Sequence, residues 1–171
     1  IARDAKPADA FVSAFKAKFG ADLGDSRSIS VMPVASAQCP AVAFLSTIGR
    51  VNGQKPGLTV SSQRVGSADK IAGSVSVPFG TDLRLLTVNS EGVIRDRSSS
   101  FSGGDTFSFA ASPDFASGTQ AVIIAMAVPS SKAQLIPAMD GKSAANVLTS
   151  LAEQAAGAGV TISGIAVAVK P

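Results

Sequence analysis

The run Ala121-Val122-Ile123-Ile124-Ala125-Met126-Ala127-Val128 constrains the fold more than any other segment. Its eight consecutive apolar residues fall well short of the roughly 20 that a membrane-crossing helix needs. The run is rich in β-branched side chains. That chemistry predicts a strand from Gln120 to Val128, central in its sheet and covered on both faces. Whatever surrounds it must supply two apolar layers. No membrane insertion is expected of this chain.

The neighbouring segments offer those layers. Phe11, Phe15 and Phe19 recur at helical spacing, which predicts an amphipathic helix from Ala8 to Phe19, with Pro7 suited to its first turn and Gly20 to its end. Ile29 to Val34 alternates as a strand, confined by Pro33 to an edge. Ala41 to Ile48 reads as a short helix opened by Pro40. Gly49 to Gly57 is turn-rich and divides the chain into a small α/β unit, 1–52, and a β-rich domain, 53–171.

In the second part, strands are predicted over Leu58 to Val65, Ile71 to Val77, Leu83 to Val88, Val93 to Arg97 and Thr106 to Phe109. Asn89-Ser90-Glu91-Gly92 carries Asn and Gly at its two ends and marks a hairpin between the third and fourth of these. Ala144 to Ala156 is an Ala-rich helix stopped by Gly157 and Gly159, and Val160 to Val169 closes the chain as a long strand. The expected fold class is α+β: a helix–strand–helix unit packed on an antiparallel β-sandwich of about seven strands.

The chain contains no histidine and a single cysteine, Cys39. Ser-His-Asp and Cys-His catalysis, His-containing zinc sites and thiolate clusters all need residues that are missing here. Cys39 lies between apolar stretches and is expected to be a buried, inert thiol. Two S-x-x-K spacings, Ser13 to Lys16 and Ser67 to Lys70, lack the companion motifs of serine–lysine enzymes. Gly141-Lys142-Ser143 resembles the end of a phosphate loop, but Ile136 stands where the opening glycine belongs. Ser143 is instead expected to cap the following helix. Asp96, Asp105 and Asp114 form no calcium-loop pattern. No catalytic residue, metal site or cofactor is assigned.

The formal charge of +3 does not point to nucleic acid, since Lys and Arg are scattered singly and no Trp or Tyr is present for stacking. The opening residue, Ile1, is read as the start of a fragment or a processed product. Low charge content with abundant Ser, Thr and Gly suits an extracytoplasmic β domain.

The segment Gln38-Cys39-Pro40-Ala41-Val42-Ala43-Phe44-Leu45 follows a helix bearing Phe11 and Phe15 and an edge strand. Ile71-Ala72-Gly73-Ser74-Val75 and Leu85-Leu86-Thr87-Val88-Asn89-Ser90-Glu91-Gly92-Val93 come after it. This order resembles C-terminal accessory regions of bacterial multidomain proteins that carry an upstream serine/threonine kinase or caspase-like domain. There a small BON-like α/β unit leads into a β-sandwich-like module. That family places two BON-like strands before its helix, whereas this sequence opens at the helix itself. The resemblance implies an accessory role, sensing or binding on the outer side of a membrane, and carries over no functional residue.

The expectation is a non-catalytic sensory or binding domain of an envelope or signalling protein, with a protein, peptide or envelope component as partner. The Ser98 to Gly104 loop, with Phe101, is the candidate ligand face. An assembly subunit joined through the Ile29 to Val34 edge and a Ser–Lys hydrolase are the alternatives.

Overall fold

The structure, a computed structural model, describes Ser13 and residues 34–50, 53–101, 104–111 and 115–170. The predicted first helix, apart from Ser13, and the predicted strand Ile29 to Val34, apart from Val34, lie outside the described residues.

The apolar run forms strand β7 (Gln120–Pro129), and every residue from Ala121 to Val128 is buried. It is the middle strand of a five-stranded sheet. β4 (Thr81–Val88) pairs with it antiparallel on one side and β8 (Thr161–Lys170) antiparallel on the other. The short β5 (Ile94–Asp96) lies outside β4, and the equally short β2 (Arg64–Gly66) lies outside β8. The β2–β8 pair is parallel, so this sheet is mixed where a purely antiparallel one was expected. The second sheet is antiparallel and three-stranded, in the order β1 (Gly57–Val60), β3 (Lys70–Ser76), β6 (Thr106–Ala110).

Side-chain alternation along β7 feeds two cores. Val122, Ile124, Met126 and Val128 face two helices, α1 (Cys39–Ile48) and α2 (Ala144–Ala158). Phe44 and Ile48 of α1 and Leu148 and Leu151 of α2 fill that side. Ala121, Ile123 and Ala125 face the three-stranded sheet, where Ile71, Val75, Phe107 and Phe109 complete the second core. The chain is therefore α+β, built as helices, a five-stranded sheet and a three-stranded sheet in successive layers.

β8 shows how the helical layer gets close. Its large residues change face midway: Ile162 joins the helix-side core, while Val167 and Val169 join the other. Gly164, Ala166 and Ala168 are left on the helix side, and there Leu45 of α1 approaches so closely that a Cβ on Gly164 would lie 2.5 Å from a Leu45 methyl.

The predicted strand Leu58 to Val65 is two strands in different sheets. Ser61, Ser62 and Gln63 interrupt it, with the Ser61 hydroxyl donating to Ala72 O and the Ser62 hydroxyl donating to Arg64 O. The first bond keeps Ser61 on β3, and the second, with the Arg64 amide donating back to the Ser62 hydroxyl, forms the local turn that carries the chain to the other sheet. The 89–93 hairpin forms as expected: Asn89 Oδ1 accepts from the amides of Glu91 and Val93, and Gly92 takes φ 79°. Ser143 occupies the N-cap position of α2, although its hydroxyl makes no capping bond. Cys39 is half-buried at the start of α1, and its neighbour Gln38 is the residue sealed in the core.

The Gln38 side chain has its amide hydrogens on Val88 O at 3.0 Å and Gln120 O at 2.8 Å, while its Oε1 accepts from Ala35 N at 3.0 Å. It ties the entry to α1 to the last residue of β4 and the first of β7. Gln38→Leu should cost about 2–4 kcal/mol, because one amide and two carbonyls lose partners at once. Urea unfolding of the variant measures this, and a change under about 0.5 kcal/mol would show that water replaces the side chain. In the second sheet, a Cβ at Gly73 would run into Thr59 O and the Phe107 ring that lies across it. Gly73→Ala should therefore destabilise by about 1–3 kcal/mol, read in the same experiment.

Candidate functional site

A groove of about 550 Å³ opens between α1, the segment leading into β1, and the outer edge of β8. Val42, Leu45 and Ser46 form the helical wall, Lys55 and Leu58 the opposite wall, and Ile162 to Ile165 the floor. Three parts of the fold place these residues together. α1 is drawn onto β8 by the missing side chain at Gly164. The 54–56 segment is held beside β8 by two hydroxyls, Thr161 donating to Gln54 O and Ser163 to Pro56 O. Lys55 Nζ donates to Gly49 O at 2.7 Å, meeting the carbonyl end of α1 where a cation is favoured.

The floor is the outer edge of β8. Val169 N donates to Thr119 O and Gly118 N donates to Val169 O, so odd-numbered residues of β8 direct their backbone bonds toward the β7 side. Ala168 N donates to Gln63 O, so even-numbered residues direct theirs outward. β2 pairs with β8 only from Ala168 to Lys170, and among the described residues no strand pairs with its outer edge from Thr161 to Val167. Gly164 is exposed although β8 is an interior strand, and all of its accessible surface is backbone. The backbone bonds of Ile162, Gly164 and Ala166 are thus directed outward, but Ile162 and Ala166 are buried and Gly164 is the exposed one of the three.

The groove also holds two serines and a lysine, but they are not arranged for nucleophilic catalysis. Serine–lysine chemistry needs a desolvated amine. Lys55 is exposed and its amino group is on the Gly49 carbonyl. Ser163 spends its hydroxyl on Pro56 O. The residues flagged from sequence lie elsewhere. Ser67 is in the turn between β2 and β3, and Lys70 is exposed at the first position of β3. Among the described residues, no three His, Cys, Asp or Glu side chains come together as a metal cluster. No helix among them is long and apolar enough to cross a membrane.

Phe101, the candidate ligand-face residue, is half-buried. Its ring stands edge-on to Phe107, centroids 6.0 Å apart, and the two residues bridge through their backbones. Phe107 stacks on Phe109, and the Arg97 guanidinium covers the Phe109 ring at 5.0 Å. Burial pushes the Arg97 pKa below its usual range, the charge of Arg95 adds to that shift, and Asp140 opposes it. Nearby ion pairs join Arg84 to Asp96 at 3.2 Å and Arg95 to Asp140 at 3.6 Å. This charged edge braces β5 against the 140–143 turn, with Asp140 Oδ1 also accepting from Asp96 N. Among the described residues, Phe79 and Leu135 are the large apolar side chains left exposed.

Sequence reading missed the groove because its walls and floor come from segments more than a hundred residues apart in the chain. One signal was present. Gly164 breaks the alternation of the closing strand, and a glycine inside a strand marks a close backbone approach. Comparison with protein-family models, with characterised proteins and with solved structures finds no match.

The outer edge of β8 has a direct readout. In amide hydrogen exchange, Gly164 should exchange fast, within about tenfold of an unstructured peptide, while Ser163 and Ile165 are protected through β7. Uniform protection along 161–166 would show that the edge is covered.

Proposed function

We propose that this chain is a non-catalytic binding or sensory module of a larger bacterial envelope or signalling protein, acting on the outer side of a membrane on a protein, peptide or envelope component. The groove at the β8 edge is the observation that supports this reading. It offers apolar walls, the exposed backbone of Gly164 and one cation, which is equipment for holding a ligand and not for moving a proton. The family resemblance of the Cys-Pro-Ala-Val segment and the Leu85 to Val93 hairpin supports the extracytoplasmic placement. On this reading residues 1–52 form a small helix–strand–helix unit that ends in α1.

A Ser–Lys hydrolase is disfavoured by the exposure of both Lys55 and Lys70. The Ser98 to Gly104 loop with Phe101 is a second candidate surface, favoured by the ring's partial exposure. The test is twofold. A fluorophosphonate probe should leave every serine unlabelled, and labelling at one serine would overturn the non-catalytic assignment. A thermal-shift panel of peptidoglycan fragments and extended peptides should contain a ligand that raises Tm by several degrees, since about 2.7 kcal/mol accrues at a hundredfold excess over Kd. A flat response across both classes would count against a binding role. Phe101→Ala should leave that shift unchanged if the groove is the site, and abolish it if the loop is.

A further inference from the structure

We draw no further inference here: the strongest candidate, the exposed ring of Phe79 on the turn between β3 and β4, carries nothing, because nothing in the structure shows what covers it.

Discussion

The burial of β7 on both faces governs everything else in this fold. Its backbone is satisfied by β4 and β8, so its side chains alone decide what must lie above and below. Large residues, Val122, Ile124, Met126 and Val128, require a thick cover, which two helices supply. The alternating set, Ala121, Ile123 and Ala125, is smaller, and a thin three-stranded sheet bearing Phe107 and Phe109 suffices there. The asymmetry between helix and sheet layers thus follows from the difference in side-chain volume along one strand. Gln38 adds a polar fixture at the end of β4 and the start of β7, where regular pairing runs out and carbonyls would otherwise be buried without donors.

The groove is a product of the same packing. α1 can cover β8 closely only because Gly164, Ala166 and Ala168 leave space on that face. The close approach makes a wall where a bulkier strand would have kept the helix away. β1 makes the other wall because its sheet must lie over the opposite face of β8. Among the described residues, β2 pairs with that edge of β8 only from Ala168 to Lys170.

Much of this was legible in the sequence, for stated reasons. The β7 run, the Asn89–Gly92 hairpin and the Gly159 helix stop each depend on local chemistry and fall where it places them, whereas Gly157, also read as a stop, lies inside α2. The failures share a cause as well. Leu58 to Val65 carries apolar residues on both sides of Ser61-Ser62-Gln63, so it reads as one strand until the third dimension assigns its halves to different sheets. Gln38 reads as an interruption, because nothing local reveals that two carbonyls, 50 and 82 residues away, need its amide. The parallel β2–β8 pair is equally silent, since pairing direction is set by topology and not by composition. The candidate site belongs to this second group. Its residues are ordinary one by one, and only their convergence gives them meaning.

The parallel pairing of β2 with β8 also bears on how the chain folds. Arg64 meets Ala168 across roughly a hundred intervening residues, so this pairing closes the longest loop of any strand pair in the described sheets, at a large cost in closure entropy. As the chain is synthesised, β2 and the groove-side wall of β1 emerge long before their neighbour exists. β3, β4 and β7 can assemble while that row stands vacant, and β8 arrives as one of the last pieces. During the interval the outer sheet row is unfilled along its whole length. A nascent neighbour on the same message, carrying the same β8 sequence, is then the nearest competitor for it. The three-residue β2 is a poor template for such pairing, so the competition is for the ten-residue edge of β7.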